Sequence, residues 1–214
     1  MNVSGRVAAL VSLVGLAAVV GAVVFTGSSD ESDDVVAAPA AADTLPGAVI
    51  TAPLTTVAPP DLPDRGPHPP LRDIDGWLQS DVTSLEELRG QVVAVQFWTF
   101  GCSNCKATLA HMQDWYARYE DQGFEVVGIH APEFSYEAEV DDIVGAAADL
   151  GVTWPIALDT RKHTFHDWQE GPRGYWPRVY LLDRNGNIRY DHRGEGRYDQ
   201  TEAAIRALLD EPAT

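Results

Sequence analysis

The sequence predicts an α/β domain whose mixed central sheet carries helices on both faces, preceded by one transmembrane helix and a linker rich in proline and alanine. Three observations predict it. A near-continuous apolar run, VVAVQFW at 92–98, leads into residues that recur at helical spacing. The same strand-then-helix order returns at 124–150. Near the C-terminus, Asn185-Gly186 separates two short apolar runs. Alternating strands and helices argue for parallel strands, and a closing Asn-Gly hairpin adds antiparallel ones.

The first element is the uncharged run VAALVSLVGLAAVVGAVVF at 7–25. As a helix it would span about 28 Å, the hydrocarbon thickness of a bilayer. Arg6 precedes it, whereas Asp30, Glu31, Asp33 and Asp34 follow. That bias predicts a cytoplasmic N-terminus and an extracytoplasmic remainder, a single-pass protein of the cell membrane. Gly27 and Ser29 are small enough for a cleavage site, so secretion after signal cleavage is the alternative. Residues 27–70 are rich in Ala, Pro, Thr and Asp and nearly free of aromatic side chains. Such a stretch buries too little surface to offset its ordering entropy, which predicts a disordered spacer. The expected organisation is therefore an anchor at 1–26, a linker at 27–70 and one folded domain at 71–214.

Within that domain, 92–98 reads as a central strand covered on both faces. Leu109, Met112, Tyr116 and Tyr119 recur at helical spacing, which predicts a helix over 102–121 that Gly123 ends. The run FEVVGIH at 124–130 is the next strand, and 137–150 the next helix, stopped at Gly151. The runs 179–183 and 187–190 form the hairpin, and a helix at 201–209 closes the chain.

The formal net charge is -17, from 15 Lys and Arg against 32 Asp and Glu. Nucleic-acid binding needs a basic surface and counterion release, so that class of function is excluded. Nor is there an electrostatic reason to lie flat on anionic lipid.

The chain has two cysteines, Cys102 and Cys105, spaced as Cys-Ser-Asn-Cys at the start of the first predicted helix. A helix N-terminus favours the thiolate of Cys102, the nucleophilic form, and one turn on Cys105 can resolve a mixed disulfide. Other uses of the pair are weaker. A zinc site would need a second ligand pair, and His111 has no evident fourth ligand beside it. Covalent haem attachment wants His after the second cysteine, and residue 106 is Lys. A structural bridge across so short a loop has little entropic leverage. His111, His130, His163, His166 and His192 show no ligand spacing among themselves.

The stretch VVAVQFWTFGCSNCK at 92–106 resembles the active-site strand and helix start of thioredoxin-like proteins. Gly76-Trp77-Leu78, FWTFGCSNC, His130-Ala131-Pro132-Glu133-Phe134, Tyr175-Trp176-Pro177 and Tyr180-Leu181-Leu182-Asp183 are similar in order and spacing to the C-terminal thioredoxin-like domain of DipZ-type proteins. The membrane-anchored TlpA and ResA proteins of cytochrome maturation are relatives in the wider group. The resemblance covers residues 71–210. It implies a thioredoxin fold and thiol–disulfide exchange with protein clients outside the cytoplasm; the residues themselves offer no evident metal or cofactor ligands. It also implies a cis peptide before Pro177 and a substrate surface drawn from Trp176, Pro177 and Trp98.

Glu133 occupies the place where the TlpA and ResA relatives carry an acidic residue near the buried cysteine. A carboxyl group in a poorly solvated pocket there would exchange a proton with Cys105. Thioredoxin carries a buried aspartate in its active-site strand where this chain has Gln96, which leaves Glu133 as the expected proton carrier. DipZ-type proteins also have a multi-helix membrane domain, and this chain has one spanning run at most. A reductive enzyme would then draw electrons from a separate membrane thiol carrier of the CcdA type.

Two other functions stay open. A peroxide-reducing relative shares the fold, although its usual signature sets Thr and Pro ahead of the reactive cysteine, and here Phe100-Gly101 precede Cys102. A non-enzymatic metal-binding or redox-partner module would use the same pair, although copper chaperones of this fold space their cysteines by three residues. The residues leave the direction of electron flow open.

Overall fold

A computed structural model of the chain describes residues 60–169 and 173–212. The expected membrane-spanning run at 7–25 and the spacer as far as residue 59 lie outside the described residues. Among the described residues, no helix is long and apolar enough to cross a membrane.

The centre is β2, Val92–Trp98, in which every residue is buried. It pairs in parallel with β3, Phe124–His130, with Trp98 opposite His130. Its other edge pairs antiparallel with β5, Arg178–Leu182, which continues into the hairpin strand β6, Ile188–Arg193. Beyond β3 lie β4, Ile156–Leu158, and β1, Gly76–Leu78, for a six-stranded order β1-β4-β3-β2-β5-β6. The mixed sheet is thus the expected one, with two short strands added at one side.

Alternation along β2 divides the core in two. Val92, Ala94 and Trp98 face α1, Ser103–Tyr119, α2, Val140–Asp149, and α4, Tyr198–Asp210, through Leu109, Met112, Trp115, Ile143, Ile205 and Leu208. Val93, Val95 and Phe97 face α3, His163–Gln169, and the 3-10 turn Leu85–Leu88, through Phe165, Trp168, Leu85 and Leu88. Burying one such large apolar side chain contributes about 1.5–3 kcal/mol over leaving it exposed. That is why a strand apolar at every position becomes the middle layer.

The differences from expectation have local causes. β1 and β4 are three residues each, too short for a period to show. α3 begins where buried Asp159 accepts the backbone N–H groups of Thr164, at 3.4 Å, and Phe165, at 2.7 Å. The helix expected over 137–150 is split into a 3-10 turn, Ser135–Ala138, and α2, because Glu139 between them is extended.

Residues 60–70, assigned from composition to the spacer, instead lie against the domain. Arg65 N–H donates to Ile188 O at 3.0 Å, Ile188 N–H to Gly66 O at 2.9 Å, and His68 N–H to Gly186 O at 3.1 Å. His68 is buried and stacks on Trp168 at 5.7 Å, and the Arg189 guanidinium donates to Leu62 O. The free edge of β6 supplies unpaired backbone groups, and even a proline-rich segment can occupy such an edge.

Candidate active site

β2 and β3 deliver their C-terminal ends to one side of the sheet, where a parallel sheet places its ligands. From Trp98 the chain passes through Thr99, Phe100 and Gly101 into α1. Cys102 is the N-cap residue, with φ -75° and ψ 117°. Its Sγ accepts the backbone N–H of Cys105 at 3.2 Å, so the thiol performs the capping that Ser or Asp performs elsewhere. Both cysteines are free; Cys102 is half-buried and Cys105 fully buried.

The two sulfurs are therefore inequivalent. Hydrogen bonding from the Cys105 side chain lowers the Cys102 thiol to about 7; burial opposes this, and the Cys105 backbone N–H adds to it. Cys105 is pushed far up, first by burial and then by its hydrogen bond to Cys102. One thiol is poised as thiolate and the other holds its proton.

Glu133 does not sit in a poorly solvated pocket as expected: it is exposed. Its negative charge raises both cysteines, which places the carboxylate within electrostatic reach of them. The fully buried carboxylate of this region is Glu137, four residues on. Glu137 Oε1 accepts the N–H of Gly101 at 3.0 Å, and Oε2 accepts those of Glu133 at 2.6 Å and Phe134 at 2.9 Å. It clasps the turn before Cys102 to the loop after β3. A glutamate at the start of a predicted helix reads as an ordinary first-turn acid, so nothing in the pattern singled it out.

Trp98, expected at the substrate surface, is fully buried. Its indole Nε1 lies over Gly128, where a Cβ would come within 2.8 Å, and its ring meets His130 edge-on at 5.4 Å. As the last inward residue of β2 it is a core side chain and cannot touch a client. Gln96 is likewise fully buried. His130, also fully buried, stacks on Phe100 at 5.7 Å, and burial lowers its pKa to about 4. It is neutral at physiological pH.

The Trp176-Pro177 peptide is cis, as the resemblance implied. Trp176 is half-buried, stacks on Phe165 at 4.3 Å, and donates its indole N–H to Ala131 O at 2.8 Å. Ala131 N–H in turn donates to Trp98 O at 3.1 Å. Trp176, Phe100 and Cys102 all pack, half-buried, against the core cluster that contains Cys105. Among the described residues, no group of three or more His, Cys, Asp and Glu could hold a metal ion.

Residues 71–191 match the model of the AhpC/TSA family. DipZ of Mycobacterium tuberculosis is 39% identical over 149 residues, which make up 68% of this chain and 21% of DipZ. The chain thus spans about a fifth of that relative. The thiol-disulfide oxidoreductase YkuV of Bacillus subtilis is 27% identical over 69% of this chain and 97% of its own length. Among solved structures, a thiol:disulfide interchange protein DsbE from Chlorobium tepidum superposes with a TM-score of 0.57 at 25% identity, covering 69% of this chain and 99% of that one. A thiol-disulfide isomerase from Corynebacterium glutamicum does so at 0.59 and 23%, covering 67% and 97%.

Proposed function

This chain belongs to the AhpC/TSA family, and from that premise we propose that it is a thiol–disulfide oxidoreductase of thioredoxin fold whose Cys102 and Cys105 exchange disulfides with protein clients outside the cytoplasm. The observation that carries the reading is the Cys102 sulfur at the N-cap of α1, half-buried, accepting the Cys105 N–H at 3.2 Å.

In the reductive direction the Cys102 thiolate attacks one sulfur of a client disulfide. The client S–S bond breaks, its second sulfur leaves as thiolate and takes a proton, and a mixed disulfide joins client to Cys102. Cys105 then gives up its proton and attacks Cys102 Sγ. The Cys102–Cys105 bond forms, the second client thiolate departs, and two electrons have passed to the client. Run backwards, the same steps install a disulfide. The Cys105 proton must leave a buried site, and Glu133, the exposed carboxylate within electrostatic reach, is the group we assign to receive it. Trp176, half-buried, is the client-facing side chain of the loop in this reading, and the ring of cis Pro177 lies buried behind it.

The extracytoplasmic location rests on the apolar run at 7–25 and the charges that flank it. A membrane thiol carrier of the CcdA type would reduce the pair, which would serve clients of cytochrome c maturation or of general disulfide repair. Redox titration of the full chain against dithiothreitol buffers, with mass-shift alkylation of both cysteines, tests the exchange chemistry. A reversible two-electron transition is expected; its absence would refute the oxidoreductase reading. Labelling whole cells with a membrane-impermeant maleimide tests the location, since a cytoplasmic Cys102 would stay unlabelled.

A further inference from the structure

Among the described residues, five large apolar side chains are strongly exposed: Phe134, Tyr136, Val140, Val144 and Tyr175. Four of these five fall between residues 134 and 144. Apolar side chains scattered singly over a surface need no explanation, but a concentration beside a reactive group does. Phe134 and Tyr136 stack at 5.9 Å with their planes 6° apart, and Tyr136 meets Phe100 edge-on at 6.0 Å. The Tyr136 hydroxyl stands 2.5 Å from where a Cβ on Gly101 would lie, so this ring leans over the residue that precedes Cys102. Val140 and Val144 extend the same segment as neighbours one turn apart on the exposed face of α2.

The platform is held in place beforehand. Glu137, between Tyr136 and α2, accepts three backbone N–H groups from both flanking loops, so little order remains to be lost on binding. Its rim is acidic: Glu133, Glu139, Asp141 and Asp142 are exposed, and residues 133–142 contain no Lys or Arg. An apolar strip edged by one sign of charge selects an apolar partner edged by the other.

We propose that the segment from Phe134 to Val144 is a client-docking surface, separate from the Trp176-Pro177 loop, whose occupant is a polypeptide carrying an aromatic or aliphatic side chain next to Lys or Arg close to its own disulfide. The inference rests on the oxidoreductase reading and adds to it the class of client. Aromatic stacking supplies affinity, and the acidic rim supplies choice and rate of encounter.

The test compares rates at which the reduced full chain opens two kinds of disulfide: a peptide disulfide flanked by Phe-Lys, and bis(2-hydroxyethyl) disulfide, which is too small to reach the platform. Phe134→Ser is expected to lower the peptide-to-small-disulfide rate ratio about tenfold, which is about 1.4 kcal/mol. The paired reversal Glu139→Lys with Asp142→Lys is expected to shift preference from a Phe-Lys to a Phe-Glu peptide. Equal losses on both disulfides, or no loss, would overturn the docking surface while leaving the exchange chemistry standing. A self-association of the wild type that Phe134→Ser abolishes would give the surface to a second copy and overturn it as well. A wild type that opens neither disulfide would instead overturn the oxidoreductase reading.

Discussion

Glu137 Oε1 accepts the backbone N–H of Gly101 at 3.0 Å, across 36 positions of chain, and so ties the residue before Cys102 to the loop after β3. This contact explains the glycine. A Cβ at residue 101 would fall against Glu137 Oε1 and the Tyr136 hydroxyl, and the carboxylate, engaged by three donors, cannot swing away without losing them. Gly101→Ala should therefore destabilise the protein by about 1–3 kcal/mol in urea titration, the usual cost of overpacking. In a Glu137→Ala background the same substitution should cost clearly less, since coupled neighbours are not additive. Equal costs in both backgrounds would remove the clash as the cause.

The inequivalence of the thiols predicts a simple alkylation profile. Reduced protein should react with iodoacetamide once, at Cys102, with a midpoint at about pH 7, while Cys105 stays unmodified until the chain unfolds. Cys105→Ala removes the hydrogen bond that contributes most to the lowering, so the midpoint should rise toward about 8.5, the ordinary thiol value. A profile centred on that ordinary value in the wild type would contradict the lowering of the Cys102 thiol by its Cys105 neighbour.

His130 predicts a pH-dependent stability. Its folded pKa of about 4 lies below the ordinary value of 6.5, because burial disfavours the charged ring. As pH falls from 6.5 to 4 the unfolded chain takes up a proton that the folded one refuses, so this residue destabilises the fold progressively over that window and has no effect above it. The full effect is about 3 kcal/mol. Asp159 acts oppositely: burial raises it from 3.8 to about 6, so stability from this group falls as pH rises between those values. Subtraction isolates the histidine. The advantage of the wild type over His130→Asn should shrink on going from pH 7.5 to 4.5, as read from urea midpoints; a constant gap would mean that His130 titrates normally.

Arg178 and Asp191 form a two-pronged pair, both contacts at 2.8 Å, with side chains only 3% and 11% exposed. Removing the carboxylate leaves a buried guanidinium without it, and Asp191→Ala should cost about 3–5 kcal/mol. The Arg72–Asp167 pair is 52% and 38% exposed, and Asp167→Ala should cost less than about 1 kcal/mol. Chemical denaturation of the two variants compares them directly; similar costs would refute the distinction by burial.

Legibility in the sequence followed length and period. β2 and β3 are seven residues each, and α1 and α4 repeat their apolar residues over several turns, so each carried its own signal. β1, β4 and α3 run for three, three and seven residues, and tertiary partners define them: β1 pairs with β4, and α3 starts on the Asp159 carboxylate. Residues 60–70 were misread for a related reason. Their composition offers little to bury, and what retains them is backbone pairing with β6, which composition does not encode.

The sequence by itself determined the parts that depend on neighbours along the chain: a two-residue gap between cysteines at the head of a helix, strands buried on both faces, and a hairpin at Asn185-Gly186. Only the tertiary structure decided which side chains share the site. It withdrew Trp98 into the core, turned Glu133 to solvent and buried Glu137 beneath Gly101. The physical reason is that burial and hydrogen-bond partnership are set by elements far apart in sequence. One carboxylate of the segment 133–137 finds three backbone donors converging on it and the other faces water.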